Sequence, residues 1–111
     1  MTRSAWLALS LLLAAPLLAG EPIPAARQQE LRNLLIQDCG SCHGLTLRGG
    51  LGPALLPPQL QGKSADYLSA VILEGRPGNA MPGWRPLLSQ DEARWIAERL
   101  LQGDGVAEGG S

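Results

Sequence analysis

Cys39-Gly40-Ser41-Cys42-His43 gathers both cysteines and the only histidine of this 111-residue chain into five consecutive positions. Cys-x-x-Cys-His is the attachment signature of c-type haem. Two thiols three positions apart can add to the two vinyl groups of one porphyrin, and the histidine that follows places an imidazole at the iron. Four other readings compete for these residues. A Cys39–Cys42 disulfide would close so tight a loop that it adds little stability. A thioredoxin-like redox pair needs a βαβ setting. Structural zinc needs a fourth ligand, and the chain has no further Cys or His. His43 could also be a plain surface histidine. The concentration of three rare residues favours one covalent haem c per chain.

A haem iron with His43 on one side has a sixth position to fill. Apart from Met1 the chain has a single methionine, Met81, in the breaker-rich run Asn79-Ala80-Met81-Pro82-Gly83-Trp84. A His/Met pair raises the reduction potential and leaves no open coordination site for a substrate. A methionine outside a metal site more often fills a gap in the core; beside a haem motif the ligand role is the better reading. Lys63, the only lysine, is the fallback ligand. A ligating histidine normally donates its other ring N–H to an acceptor. A carbonyl on the loop after His43 can serve, and the fixed φ of Pro53 would aim its own carbonyl well. An ordinary turn proline explains Pro53 equally well. Trp84 and Arg76 carry N–H groups that could meet a haem carboxylate; core packing for Trp84 and solvent exposure for Arg76 are the simpler roles. Trp95 reads as packing.

Size points the same way as the motif. One small domain is the most this length allows. The chain has no Phe, and small domains with few large apolar side chains often depend on a cofactor or staple. The first 20 residues read as an export signal: Arg3, the uncharged run from Ala5 to Leu18, then Ala19-Gly20. The run is short for a membrane span, which needs about 20 apolar residues. The alternative, an uncleaved anchor, sits poorly with the charged, Pro-rich sequence that follows. Cleavage near Ala19-Gly20 would deliver a periplasmic protein without a stable membrane anchor. No Cys follows Gly20, so no lipid attachment is expected. Without Arg3, eight basic residues face ten acidic ones, a balance too mild for a nucleic-acid partner.

Along the rest of the chain, Glu21 to Pro24 reads as a linker and residues 21–103 as the folded domain. A helix is predicted over Ala25 to Ile36, with Ala26, Leu31, Leu34 and Leu35 inward and Arg27, Gln28 and Arg32 on the wet side. Leu45 to Gly62 holds so many Gly and Pro that one long irregular loop is expected. Ser64 can cap a helix over Ala65 to Glu74, ended by Gly75, with Leu68, Val71 and Ile72 as its apolar face. Arg76 to Pro86 is a second irregular stretch. Ser89 and Glu92 form a capping-box pattern. The helix they open carries Ala93, Ile96, Ala97, Leu100 and Leu101 on one stripe and stops at Gly103. Residues 104–111 read as a disordered polar tail. The expectation is an all-α fold of three main helices and two long loops around one haem.

Read in order, Cys39-x-x-Cys-His43, Gly52-Pro53, Tyr67-Leu68, Gly75-Arg76, Met81-Pro82 and a closing helix resemble class I cytochrome c. The resemblance runs from about Ala25 to Leu101. It implies the cytochrome c fold, thioethers from Cys39 and Cys42, axial His43 and Met81, and Pro53 accepting from His43. Asp38 to Gly44, Arg48 to Pro53 and Gly75 to Pro82 are similar, more narrowly, to the small periplasmic cytochromes of haem-d1 nitrite reductase gene clusters. That likeness implies a single-electron carrier in denitrification, serving haem-c/haem-d1 nitrite reductase or the maturation of its special haem. Mitochondrial cytochromes are longer and carry a ring of lysines that this chain lacks. Docking on redox partner proteins is therefore expected through apolar residues such as Leu45, Leu47 and Leu51, over a small, weak interface. The rival class is a haem sensor or enzyme in which the sixth ligand is displaceable.

Overall fold

The computed structural model describes residues 22–104. The expected signal segment over 1–20 and the tail beyond Asp104 lie outside them.

The described residues form four α-helices, α1 (Ala25–Leu34), α2 (Gly40–His43), α3 (Ala65–Glu74) and α4 (Gln90–Gln102), with two shorter helical turns between them. No strand occurs among the described residues. The first helix does not stop near Ile36 as predicted. A π-helical turn over Leu35–Cys39 carries the chain without interruption into α2. No Gly or Pro lies between Ala25 and Cys39 to break it, and the helix ends only at Gly44. Its inner face is Leu31 and Leu35, both buried, whereas Ala26 is exposed. Arg27 and Arg32 keep part of their surface in water but do not stand free in it. Each is half-buried against α4: Arg27 pairs with Glu92, and Arg32 lies 5.3 Å from the ring centre of Trp95, whose indole has Arg99 at 5.1 Å as well.

Helix α3 begins and ends where predicted. Ser64 accepts a hydrogen bond from the Tyr67 N–H, and Gly75 closes the C-terminus. Leu68 and Ile72 are buried and Val71 is partly so; Leu73 joins them in the core. In α4 both halves of the Ser89–Glu92 capping box form. Ala93, Ile96, Ala97 and Leu100 are buried, with Leu101 at the edge. Helix α4 packs most extensively on α3 and also meets α1. Asp104 stays joined to the end of α4, its N–H donating to the Arg99 carbonyl at 3.0 Å. The loop predicted over Leu45 to Gly62 is not wholly irregular. Pro57–Leu60 forms a 3₁₀ turn with proline in its first positions, where the missing N–H is not needed, and Leu60 enters the core.

Glu92 ties two ends of the fold together. Its carboxylate accepts from Arg27 Nε at 2.5 Å and Nη2 at 3.2 Å, and from the Ser89 N–H at 3.0 Å. The Arg27 guanidinium, and then the Ser89 backbone, hold the Glu92 carboxyl below the ordinary carboxylate range, against the opposing effect of burial. A folded-state pKa below the unfolded value of about 4.3 means that this contribution is complete above that value. It fades as the pH falls through the lowered folded one. The Arg27 side chain is 35 % exposed, so water screens the pair and its worth stays at about 1 kcal/mol or less. Glu92→Gln, which keeps the capping geometry, should therefore lower stability by that amount at pH 7 and by progressively less as the pH falls. Urea melts at neutral and acid pH check this.

Candidate haem-attachment site

Cys39, Gly40, Cys42 and His43 sit in continuous right-handed helix, with Cys39 at φ −64°, ψ −40° and Gly40 at φ −64°, ψ −24°. Positions three apart on a helix are neighbours on one face, so the two sulfurs of Cys39 and Cys42 share a side. His43, one residue on, is turned about 100° from Cys42. Both thiols are free rather than joined, Cys42 exposed and Cys39 half-buried. Burial, and after it the neighbouring Asp38 carboxylate, push the Cys39 thiol up to about 11.

The imidazole is fixed from behind. His43 Nδ1–H donates to the Pro53 carbonyl at 2.7 Å. A carbonyl can only accept, so a proton sits on Nδ1, and in the neutral ring Nε2 is the nitrogen with a lone pair for a metal. The loop that brings Pro53 there is laced to the attachment helix. The Gly49 N–H donates to the His43 carbonyl and the Gly52 N–H to the Cys42 carbonyl, each at 2.8 Å. Gly52 lies flat against the ring: a Cβ there would sit 2.8 Å from both Cε1 and Nδ1 of His43. Sequence reasoning gave Gly52 only the role of a breaker beside Pro53. The Gly-Pro pair was the available signal, but the contact with His43 is long-range and nothing local encodes it.

Leu47 corrects an expectation. The sequence places it on the surface with Leu45 and Leu51, yet it is completely buried. Its backbone adopts φ +59°, a left-handed conformation that costs a leucine roughly 1–2 kcal/mol. That turn drives the side chain into the core. The Leu47 N–H donates to the Gly44 carbonyl, and the Leu47 carbonyl accepts from the Leu55 N–H, both at 2.8 Å. Leu45 and Leu51 are exposed as expected, 63 % and 97 %.

Met81 is half-buried on the loop between α3 and α4. Trp84 packs against the core from that same loop. Arg76 is exposed, and its guanidinium donates to the Tyr67 hydroxyl at 3.2 Å. Lys63 is exposed just before α3.

These residues suit one covalent haem. The ring proton of His43 is committed away from its metal-binding nitrogen. Two unpaired thiols share a helix face. A soft thioether waits on a separate loop. The buried core contains leucines, isoleucines and alanines and no aromatic side chain among the described residues, so a large flat apolar group has work to do there.

Comparisons with known proteins agree with that chemistry. The family model described as cytochrome c oxidase, cbb3-type, subunit III, matches residues 26–98. Cytochrome c55X of Pseudomonas aeruginosa is 54 % identical over 105 residues, covering 93 % of this chain and 88 % of that protein. Dihydro-heme d1 dehydrogenase of the same organism is 38 % identical over 96 residues, which cover 86 % of this chain but 18 % of the enzyme. The solved structure of the c-type cytochrome NirC has a TM-score of 0.74 and 54 % identity, over 77 % of this chain and all of that one.

Proposed function

Since this chain belongs to the cytochrome c55X, or NirC-type, family of monohaem c-type cytochromes, we propose that it is a periplasmic single-electron carrier of the haem-d1 nitrite reductase system, with Cys39 and Cys42 as thioether attachments and His43 and Met81 as axial ligands. The observation that carries this reading is the His43–Pro53 contact, which commits Nδ1 to the backbone and leaves Nε2 as the nitrogen for a metal, one residue after Cys42.

The bound haem supplies one reversible electron. The protein does the rest. Pro53 holds the Nδ1 proton and so the ring orientation. His43 and Met81 would hold the iron between them, leaving no position for a substrate and favouring outer-sphere transfer. The loop folded on Cys42 and His43 lays Gly52 against the imidazole and fixes the backbone around it. Likeness to one segment of dihydro-heme d1 dehydrogenase supports a second direction of use: accepting electrons released during haem-d1 maturation rather than delivering them to the finished reductase. Stopped-flow mixing separates the two. The reduced protein should be oxidised, one electron per chain, by haem-c/haem-d1 nitrite reductase if it is the donor. The oxidised protein should be reduced by the dehydrogenase with its substrate if it serves maturation. No transfer in either experiment would defeat the carrier reading.

Docking falls to the exposed rim beside Cys42. Leu51 is 97 % exposed, yet its turn is pinned at Gly52 to the Cys42 carbonyl, so an apolar side chain is displayed in water on a fixed backbone. Arg48, exposed nearby, makes no ion pair among the described residues. Leu51→Ser should slow transfer to the partner about three- to tenfold, a cost of ~1 kcal/mol, while the reduction potential stays unchanged. An unaltered second-order rate would remove Leu51 from the interface.

A further inference from the structure

The loop that carries Met81 is fastened to α3 at both of its ends. At its exit the Trp84 and Arg85 N–H groups donate to the Ile72 and Leu73 carbonyls, at 2.9 and 3.2 Å, and Arg85 pairs with Glu74. At its entrance the Gly75 N–H donates to the Val71 carbonyl at 2.8 Å. Gly75 then turns at φ +71°, where a Cβ would lie 2.6–2.7 Å from Gly83 N, Met81 O and Pro82 C. The two ends of the loop therefore cross in contact. Arg76 stands at that crossing and is engaged twice. Its backbone N–H donates to the Met81 carbonyl at 3.2 Å, and its guanidinium donates to the hydroxyl of Tyr67, in the first turn of α3, also at 3.2 Å. Arg76 makes no ion pair among the described residues, so nothing there pulls its side chain elsewhere.

We propose that Arg76 is a positioning residue for Met81: the Tyr67 hydroxyl anchors the guanidinium, and the anchored Arg76 backbone holds the Met81 carbonyl, so that this relay sets how readily the thioether leaves the metal. The inference rests on Met81 being the sixth ligand and adds what governs its retention. The contact is solvent-exposed, so it governs local opening of the loop and not global unfolding.

The test uses the ferric holoprotein and imidazole as the entering ligand. At saturating imidazole, the decay of the sulfur-to-iron charge-transfer band reports the rate at which Met81 opens. Tyr67→Phe removes one hydroxyl and should raise that rate about three- to tenfold, the worth of one net hydrogen bond. Arg76→Ala should raise it at least as much, and Arg76→Lys should restore part of the loss. The urea midpoint of Tyr67→Phe should stay with the wild type. Equal opening rates in wild type, Tyr67→Phe and Arg76→Ala would overturn the proposal. So would a pattern in which Arg76→Ala alters the pH dependence of the potential while Tyr67→Phe alters nothing, because Arg76 would then act on a haem carboxylate. A wild-type spectrum without the charge-transfer band would sink the ligand reading itself, and this inference with it.

Discussion

A chain in which Cys39 and Cys42 are both replaced by alanine is expected to lose cooperative folding. Among the described residues the buried apolar side chains are leucines, isoleucines and alanines, and Trp84 and Trp95 only border them. A porphyrin is larger than any aromatic side chain, and an aromatic side chain already buries about 150–250 Å². At roughly 25 cal/mol per Å² that area alone is worth about 4–6 kcal/mol, comparable to the whole stability of a small domain at about 5–15 kcal/mol. Covalent attachment also keeps the group in place when the fold opens, so its loss cannot be offset by a modest excess of free haem. Circular dichroism of the double variant should show a shallow, non-cooperative melt and the visible spectrum no stoichiometric haem. A sharp, native-like melt from the colourless double variant would mean that the protein completes its own core.

Replacing Met81 with alanine should have the second-largest effect, and on a different observable. The fold should persist, because Met81 is only half-buried and its loop is held by backbone contacts of Arg76, Trp84 and Arg85. The ferric protein should lose its sulfur-to-iron band and bind added imidazole. Its reduction potential should fall by on the order of 0.1 V or more, within the ~0.8 V span that axial ligands command. Thioether sulfur favours the reduced metal, which is why the sign is downward. If both the potential and the rate of partner reduction were unchanged, Met81 would not be a ligand and the electron-carrier reading would lose its basis.

Local signals are legible in the sequence. Ser64 and Gly75 bound α3, and the Ser89–Glu92 box opens α4, because caps and breakers act within a few residues and are written next to the helix they limit. Long-range geometry was not legible. Arg27 and Arg32 looked like solvent-facing residues because periodicity describes one helix at a time; only the approach of α4, with Glu92 and Trp95, makes them partners. Leu47 was placed on the surface because nothing in its neighbours announces a left-handed backbone for a leucine. The first helix was ended early because a π-helical turn has no composition of its own, and the haem motif invited a boundary where the chain has none. The ring acceptor shows both sides. Pro53 was recognised as a carbonyl that could serve His43, while the approach of Gly52 to the imidazole emerged only with the loop folded.

The most direct test is the absorption spectrum of the purified protein before and after extraction with acidified acetone. One haem per chain should remain with the polypeptide after extraction, and the ferric form should carry a weak long-wavelength band from Met81 sulfur to iron. A colourless protein, with Cys39 and Cys42 free or joined to each other, would contradict the assignment at its root.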